Sequence, residues 1–342
     1  MNCRSFASVV TVMSIAALHG IAMASDPGEM ASAPPPAKTL YHIVSLGATA
    51  RGSYAINKAG LVPGQVGAAN PLPALLNQGT YTTLGTTPGI AAGVNDSDAA
   101  SGTIYPGGGP GHPFYWKHGK LKDLGVLPGD AGGGSYGGAV NKNGAMLCWT
   151  LDAEGNPITY VWQQGTLTLV DAPAGLRYPR GIAIDDAGDV AGYAQTQSGQ
   201  YEHGFVILGG VGYDLGAGVA LGINNVGQVV GHVTVNGVYH AYRWSNGTQF
   251  VFDPPAGGVE AEAVGINAKG QVVGDYLTSL NESHGFISHG KVLVDLNTLL
   301  DPASSGWLIQ TAGAINGSGM ITGMGMFGTQ ALSYVALPVA SN

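Results

Sequence analysis

The chain has 342 residues, 57 of them Gly, and its 13 Lys and Arg against 21 Asp and Glu give a formal net charge of −8. A hydrophobic content of 45% can fill a sizeable core, which excludes a disordered chain. Charged residues make up only 10% and form no basic stripe, which excludes nucleic-acid binding through phosphate neutralisation.

Residues 1–24 have the layout of a secretory signal peptide. Arg4 supplies the positive start, residues 5–22 are apolar and small, and Ala22-Met23-Ala24 is a small-x-small cleavage site. This predicts export to the periplasm or medium, with no membrane span left after cleavage. Residues 25–39 carry Pro34-Pro35-Pro36 and several Ala, the composition of an extended linker. Cys148 is then the only cysteine of the mature chain, so an internal disulfide is excluded. It sits in the apolar run Met146-Leu147-Cys148-Trp149, where a thiol acts as a small hydrophobe rather than a nucleophile.

From residue 40 to residue 338 the sequence repeats one unit. Its anchor is an apolar residue followed by Asn, two variable residues and Gly. Anchors fall at Asn57, Asn95, Asn141, Asp185, Asn224, Asn267 and Asn316, spaced by 38 to 49 residues. The second copy has Asp98 at the Gly position and the fourth has Asp for Asn. This period matches a four-stranded propeller blade, and Gly and Pro interrupt every window long enough for a helix.

The fifth unit displays the strands. Ala220 to Ile223 is strand a, Gln228 to Val235 strand b, Val238 to Trp244 strand c and Thr248 to Asp253 strand d. Asn236-Gly237 and Asn246-Gly247 are two-residue hairpin turns, so the strands form an antiparallel meander. Tyr41 to Gly47 reads as an out-of-phase strand d, and Ala331 to Leu337 as a final strand c lacking one. The expected fold is all-β: a seven-bladed β-propeller of four-stranded antiparallel blades, the ring closed by the N-terminal strand joining the last blade, with 339–342 a tail. Closure leaves no long unpaired edge.

Two segments carry a family resemblance. They are the Ile-Asn-x-x-Gly-x-Val-x-Gly stretches at 223–231 and 266–274, together with His240-Ala241-Tyr242-Arg243-Trp244. In these the chain resembles the HAF-repeat family of extracellular bacterial repeat proteins, across nearly all of residues 40 to 337. The resemblance implies a repeat architecture and an exported location, and brings no catalytic residues. Three copies lack the strand-c His.

The loops joining strands b to c and d to a are long and variable, and rigid scaffolds carry binding residues on such loops. The candidate ligand contacts there are Arg177, Tyr178, Arg180, Arg51, Tyr54, Tyr136 and Trp307, with Asp130, Tyr201, Glu202, Glu260, Glu262 and Glu282 beside them. Arg177-Tyr178-Pro179-Arg180 is the strongest local combination, an anion contact beside an aromatic ring. His112, His203, His240 and His284 recur at one position of four units, which points to a structural role rather than a converging site. No metal-ligand spacing, phosphate loop or nucleophile elbow occurs, so no metal or cofactor is expected. The functional expectation is a non-catalytic scaffold binding a glycan, peptide or surface protein. The alternatives are a propeller lyase or hydrolase acting on a polysaccharide or ester, and a matrix component. An enzyme predicts an acid or His pair converging at the channel mouth with a shifted pKa, and a binder predicts an aromatic patch without one.

Overall fold

The computed structural model describes residues 39–47, 54–199 and 202–339. The expected signal peptide, nearly all of the linker, Arg51 and Tyr201 lie outside the described residues. Among the described residues, apart from three short 3-10 turns, every regular element is a strand. In the fifth unit strand b is Val229–Val235, strand c Val238–Ser245 and strand d Thr248–Val251, paired antiparallel in that order. Asn236 and Gly237 have φ of 53° and 81°, and Asn246 and Gly247 48° and 80°. Both turns therefore need the left-handed region at two successive positions, which Asn tolerates and Gly favours.

The ring closes as its termini predict. Leu40–Gly47 pairs antiparallel with Gln330–Val339, from Leu40 opposite Val339 to Gly47 opposite Ser333. The sheets themselves correct the expectation of seven separate four-stranded blades. Among the described residues five sheets have four strands or more, and Val62–Val66, Leu72–Asn77 and Thr80–Thr83 form a sixth of three. In that sheet Tyr54, Ala55 and Ile56, where strand a was expected, form no strand. The fourth and fifth units share one seven-stranded sheet, because no loop separates them. The strand Val211–Ile223 pairs through Val211–Ala217 with the fourth unit and through Gly218–Ile223 with the fifth. Gly216 and Gly218, at φ of 90° and 139°, let the backbone turn between the two.

Adjacent hydrophobics in strand b reflect a sheet covered on both faces. Val230 packs with Val272, Phe286 and Phe252 of one apolar layer, while Val229 packs with Val206, Tyr242 and Trp244 of another. Among the described residues seven such layers each join one repeat unit to the next. One of them joins Leu46 and Val335 to Val62 and Leu76 across the closure. Each buried Phe or Leu in them contributes about 1.5–3 kcal/mol. Cys148 is among these residues, and burial pushes its thiol up to about 12, which bears out its reading as a packing residue.

The anchors hold the layers in register. Each anchor oxygen Oδ1 accepts the backbone N–H groups two and four residues on, as Asn141 does from Asn143 and Ala145 at 3.0 and 2.9 Å. The amide Nδ2 then donates to the backbone carbonyl of the next anchor. Asn57 reaches Asn95, Asn95 reaches Asn141 and Asn141 reaches Asp185, at 3.2, 2.7 and 2.8 Å. Asn224 reaches Asn267, Asn267 reaches Asn316, and Asn316 returns to Asn57, at 2.9, 3.0 and 2.9 Å. At Asp185 an ionised carboxylate has no proton to donate onward. The neighbouring pair substitutes: Asn225 Oδ1 accepts from Asp186 N at 3.0 Å, and Asn225 Nδ2 donates to Asp186 Oδ2 at 2.6 Å.

The closing Gly of the repeat motif serves the inner strand pair. A Cβ on Gly231 or Gly274 would stand 1.9 Å from the carbonyl oxygen of Val219 or Glu262. The register shifts beside this point, between Ala220 and Gly222 and between Ala263 and Gly265.

Two outcomes follow from these contacts. Asp185→Asn restores the missing donor and removes an acid that burial holds above the usual carboxylate range. Its unfolding free energy at pH 7 should exceed wild type by about 1 kcal/mol, with a smaller gain below about pH 3, where the acid is protonated in both states. Gly274→Ala should lose about 2 kcal/mol or more in denaturant unfolding, since backbone rather than a side chain must move. A neutral result at either position contradicts the assigned role.

Candidate functional site

Aligning the units on their anchors brings out one column of unlike residues. Five residues before the anchor stand Ile90, Tyr136, Arg180, Val219, Glu262 and Thr311. Opposite them on strand b, in register, lie Thr103 across from Ile90, Trp149 from Tyr136, Tyr193 from Arg180, His232 from Val219 and Asp275 from Glu262. These positions form a belt round the inner strands. The belt borders a cavity of about 700 Å³ lined by the inner strands, and Ile90, Trp149, Arg180, Glu262, Asp275 and Thr311 line it. That volume suits a small ligand of drug size.

One wall is aromatic and cationic. Tyr136 stacks on Trp149 with ring centroids 4.4 Å apart, and the Arg180 guanidinium lies 3.5 Å from the Trp149 ring centre. Arg180 Nη1 donates to Gly181 O at 3.3 Å, and no carboxylate pairs with it among the described residues. Burial lowers its pKa to about 10, so it remains a cation at neutral pH.

The other wall is acidic. His232 is buried, with its Nδ1 2.6 Å from Glu262 Oε1 and its ring stacked on Tyr239 at 4.2 Å. Its Nε2 has no partner. The Asp275 carboxyl lies beside Glu262 and has no hydrogen-bond donor among the described residues. Burial, and then the charge of Glu262, raise its pKa to about 7. Glu262 and Asp275 also line a side cleft of about 240 Å³ with Tyr239, Glu260 and Ser283. The acid–imidazole group that an enzyme predicts thus borders the same cavity as the aromatic patch, so the expectation of an aromatic patch without such a group is not met.

The structure redistributes the other sequence candidates. Arg177, Tyr178 and Arg180 belong to the strand Leu176–Ile184, where the register shifts between Arg177 and Arg180. Only Arg180 of the three lines the cavity. The Arg177 guanidinium lies 5.3 Å from the Tyr178 ring, and its Nε is buried without a partner. Tyr54 lines the cavity and is 70% exposed. Tyr136 supports Trp149, and its hydroxyl donates to Gly133 O at 3.1 Å. Trp307 packs on Phe327 and Tyr334 in the closing sheet, away from the cavity. Asp130 accepts from Gly134 N and Thr150 Oγ1, Glu260 lines the side cleft, and Glu202 and Glu282 are exposed.

The recurrent histidines clasp the outer strands. His112 pairs with Asp123 at 3.0 Å, His203 with Asp214 at 3.2 Å and His284 with Asp295 at 3.0 Å, each eleven residues apart. The same aspartates accept from Gly125, Gly216 and Asn297 N–H in the following turn. Val251 stands where the partner of His240 would be. Among the described residues no group of three His, Cys, Asp or Glu is placed to hold a metal ion, and no helix is long and apolar enough to cross a membrane.

Asp275 should impose a pH dependence. Its folded carboxyl keeps a proton up to about pH 7, while the unfolded one releases it near pH 4. Stability therefore falls between those values as pH rises. Asp275→Asn should abolish that slope and, at pH 8, exceed wild type by at most on the order of 4 kcal/mol, with no difference at pH 3. Parallel stability profiles for the two proteins would contradict the burial of an unpaired acid.

The fold is similar to solved β-propellers. A puromycin-hydrolysing peptidase from Mycobacterium tuberculosis aligns over 90% of this chain and 55% of its own, at 13% identity and a TM-score of 0.55. The β-propeller domain of the Trilobed protease from Pyrococcus furiosus aligns over 88% of this chain and 98% of that domain, at 8% identity and a TM-score of 0.53. TolB from Acinetobacter baumannii aligns over 62% of this chain and 61% of its own, at 14% identity and a TM-score of 0.43. The chain thus spans less than two thirds of the TolB and peptidase chains. No family model matches the chain, and no curated protein matches it. At these identities the likeness establishes the propeller fold and nothing of the chemistry.

Proposed function

We propose that this protein is an exported ligand-binding propeller of the HAF-repeat type, and that its site is the central channel rather than the loop tips. Export rests on the reading of residues 1–24. The circle of seven anchors supports a ring of seven repeat units, with the fourth and fifth joined by a continuous strand. The observation that carries the functional reading is Arg180. Among the described residues it is a cation without a carboxylate partner, its guanidinium 3.5 Å from the Trp149 ring centre, and it lines a cavity of about 700 Å³. A half-buried cation so placed takes an anionic group of a ligand, while the ring beside it takes an apolar face.

A second reading is favoured by Glu262 and Asp275. Two acids with unlike environments suit general acid–base work on a bound substrate. Turnover that disappears in Asp275→Asn while binding persists would support it.

The reading is tested by thermal unfolding and calorimetry with anionic oligosaccharides, cell-wall fragments and peptides. Ligand binding should weaken at least tenfold in Arg180→Gln and in Trp149→Ala, since a charge-assisted hydrogen bond contributes about 1.5–3 kcal/mol. Arg177→Gln should bind as wild type does. The opposite pattern, with loss at Arg177 alone, would move the site to the loops.

A further inference from the structure

The two walls of the channel differ in charge, and the space beyond them does not resemble a sugar site. Towards the anchors, two residues beyond the belt, the lining is Ala92, Ile182, Leu221 and Val264, with Val140 four residues beyond it. A polyol reaching past the belt would turn its hydroxyls against aliphatic groups, leaving them without partners. An apolar body loses nothing there. At the belt, among the described residues, the acidic group lacks a Lys or Arg: Glu262 is paired with His232, and no donor reaches the Asp275 carboxyl. Among the described residues no carboxylate pairs with Arg180.

On the reading of the channel as the binding site, we infer that its ligand is zwitterionic with an apolar body, of the short-peptide class. Its carboxylate sits on Arg180 and its terminal ammonium between Glu262 and Asp275. An ammonium brings three donors, which satisfy the Asp275 carboxyl and the free oxygen of Glu262 together. It also favours the ionised form of Asp275, whose proton then leaves for solvent. The ring face of Trp149 takes the peptide body beside Arg180. Binding exchanges one proton and makes no covalent bond.

The test uses the tripeptide Ala-Leu-Ala with free termini, its N-acetylated form, its C-amidated form, and glucuronic acid as an anionic sugar, by calorimetry at pH 6. The free tripeptide should bind and release protons to the buffer. Acetylation and amidation should each weaken it at least tenfold. In Arg180→Gln the amidation penalty should vanish, and in Asp275→Asn the proton release should vanish with the acetylation penalty reduced. Thermal unfolding of each variant confirms that it folds.

If the acetylated peptide binds as well as the free one, the ammonium assignment is overturned while the channel site stands. If glucuronic acid binds, the tripeptide does not, and Arg180→Gln abolishes that binding, the peptide class is overturned and the channel site again stands. Tripeptide binding unaffected by either substitution overturns the channel reading itself. A folded wild-type protein that binds none of the three peptides overturns the inference.

Discussion

Everything in this molecule depends on one hydrogen bond repeated round the ring: a side-chain amide of one anchor donating to the backbone carbonyl of the next. The same side chain closes its own tight turn through Oδ1, so a single residue type fixes a local conformation and the neighbour's position at once. Asn is suited to this because it has an acceptor and two donors on a short, stiff stem. Asp matches its acceptor half and, when ionised, lacks the donors, which is why Asp185 needs help from Asp186 and Asn225. Strict spacing along the chain is then unnecessary. Units of 38 to 49 residues reach the same register, with the differences absorbed outside the inner strands.

A rigid inner ring also sets a few unlike residues at one level of the inner strands. The closing Gly brings strand b against strand a, and the residues just beside that approach form the belt. In this column the units share nothing, whereas the anchors and apolar layers recur. Repetition supplies the scaffold, and departure from it at one level supplies chemistry: an aromatic pair, a cation, an imidazole and two acids. Their burial matters as much as their identity. In water Arg180 and Asp275 would be ordinary charges, but within the channel each is displaced from its usual titration range and left needing a partner.

The repeat, its hairpin turns and the closing strand were legible because each is local or periodic. Asn236-Gly237 specifies a turn by backbone conformation, and Tyr41 to Gly47 announces itself by being out of phase. The merging of the fourth and fifth units was not legible, because Gly216-Ala217-Gly218 reads as a loop until both its neighbours are seen to pair with it. Arg180 was found, though as part of a loop motif with Arg177. Their strand and its shifted register separate the two, so that one enters the channel and the other does not. Trp149 and Asp275 were missed for a simpler reason. Both lie in strands that are mostly buried packing, and only alignment on the anchors sets them apart. Trp307 was selected as an exposed loop aromatic, but the closing sheet supplies Phe327 and Tyr334 to cover it.

The claim on which the account stands is that ligands enter the channel and meet the belt. Methyl-resolved NMR of the intact protein, titrated with a free-terminus tripeptide, tests it most directly. The account predicts shifts confined to Ile90, Ile182, Leu221 and Val264 of the channel wall. Shifts confined to Leu169, Val251 and Val292 on the exposed outer strands, with the channel methyls unmoved, would contradict it.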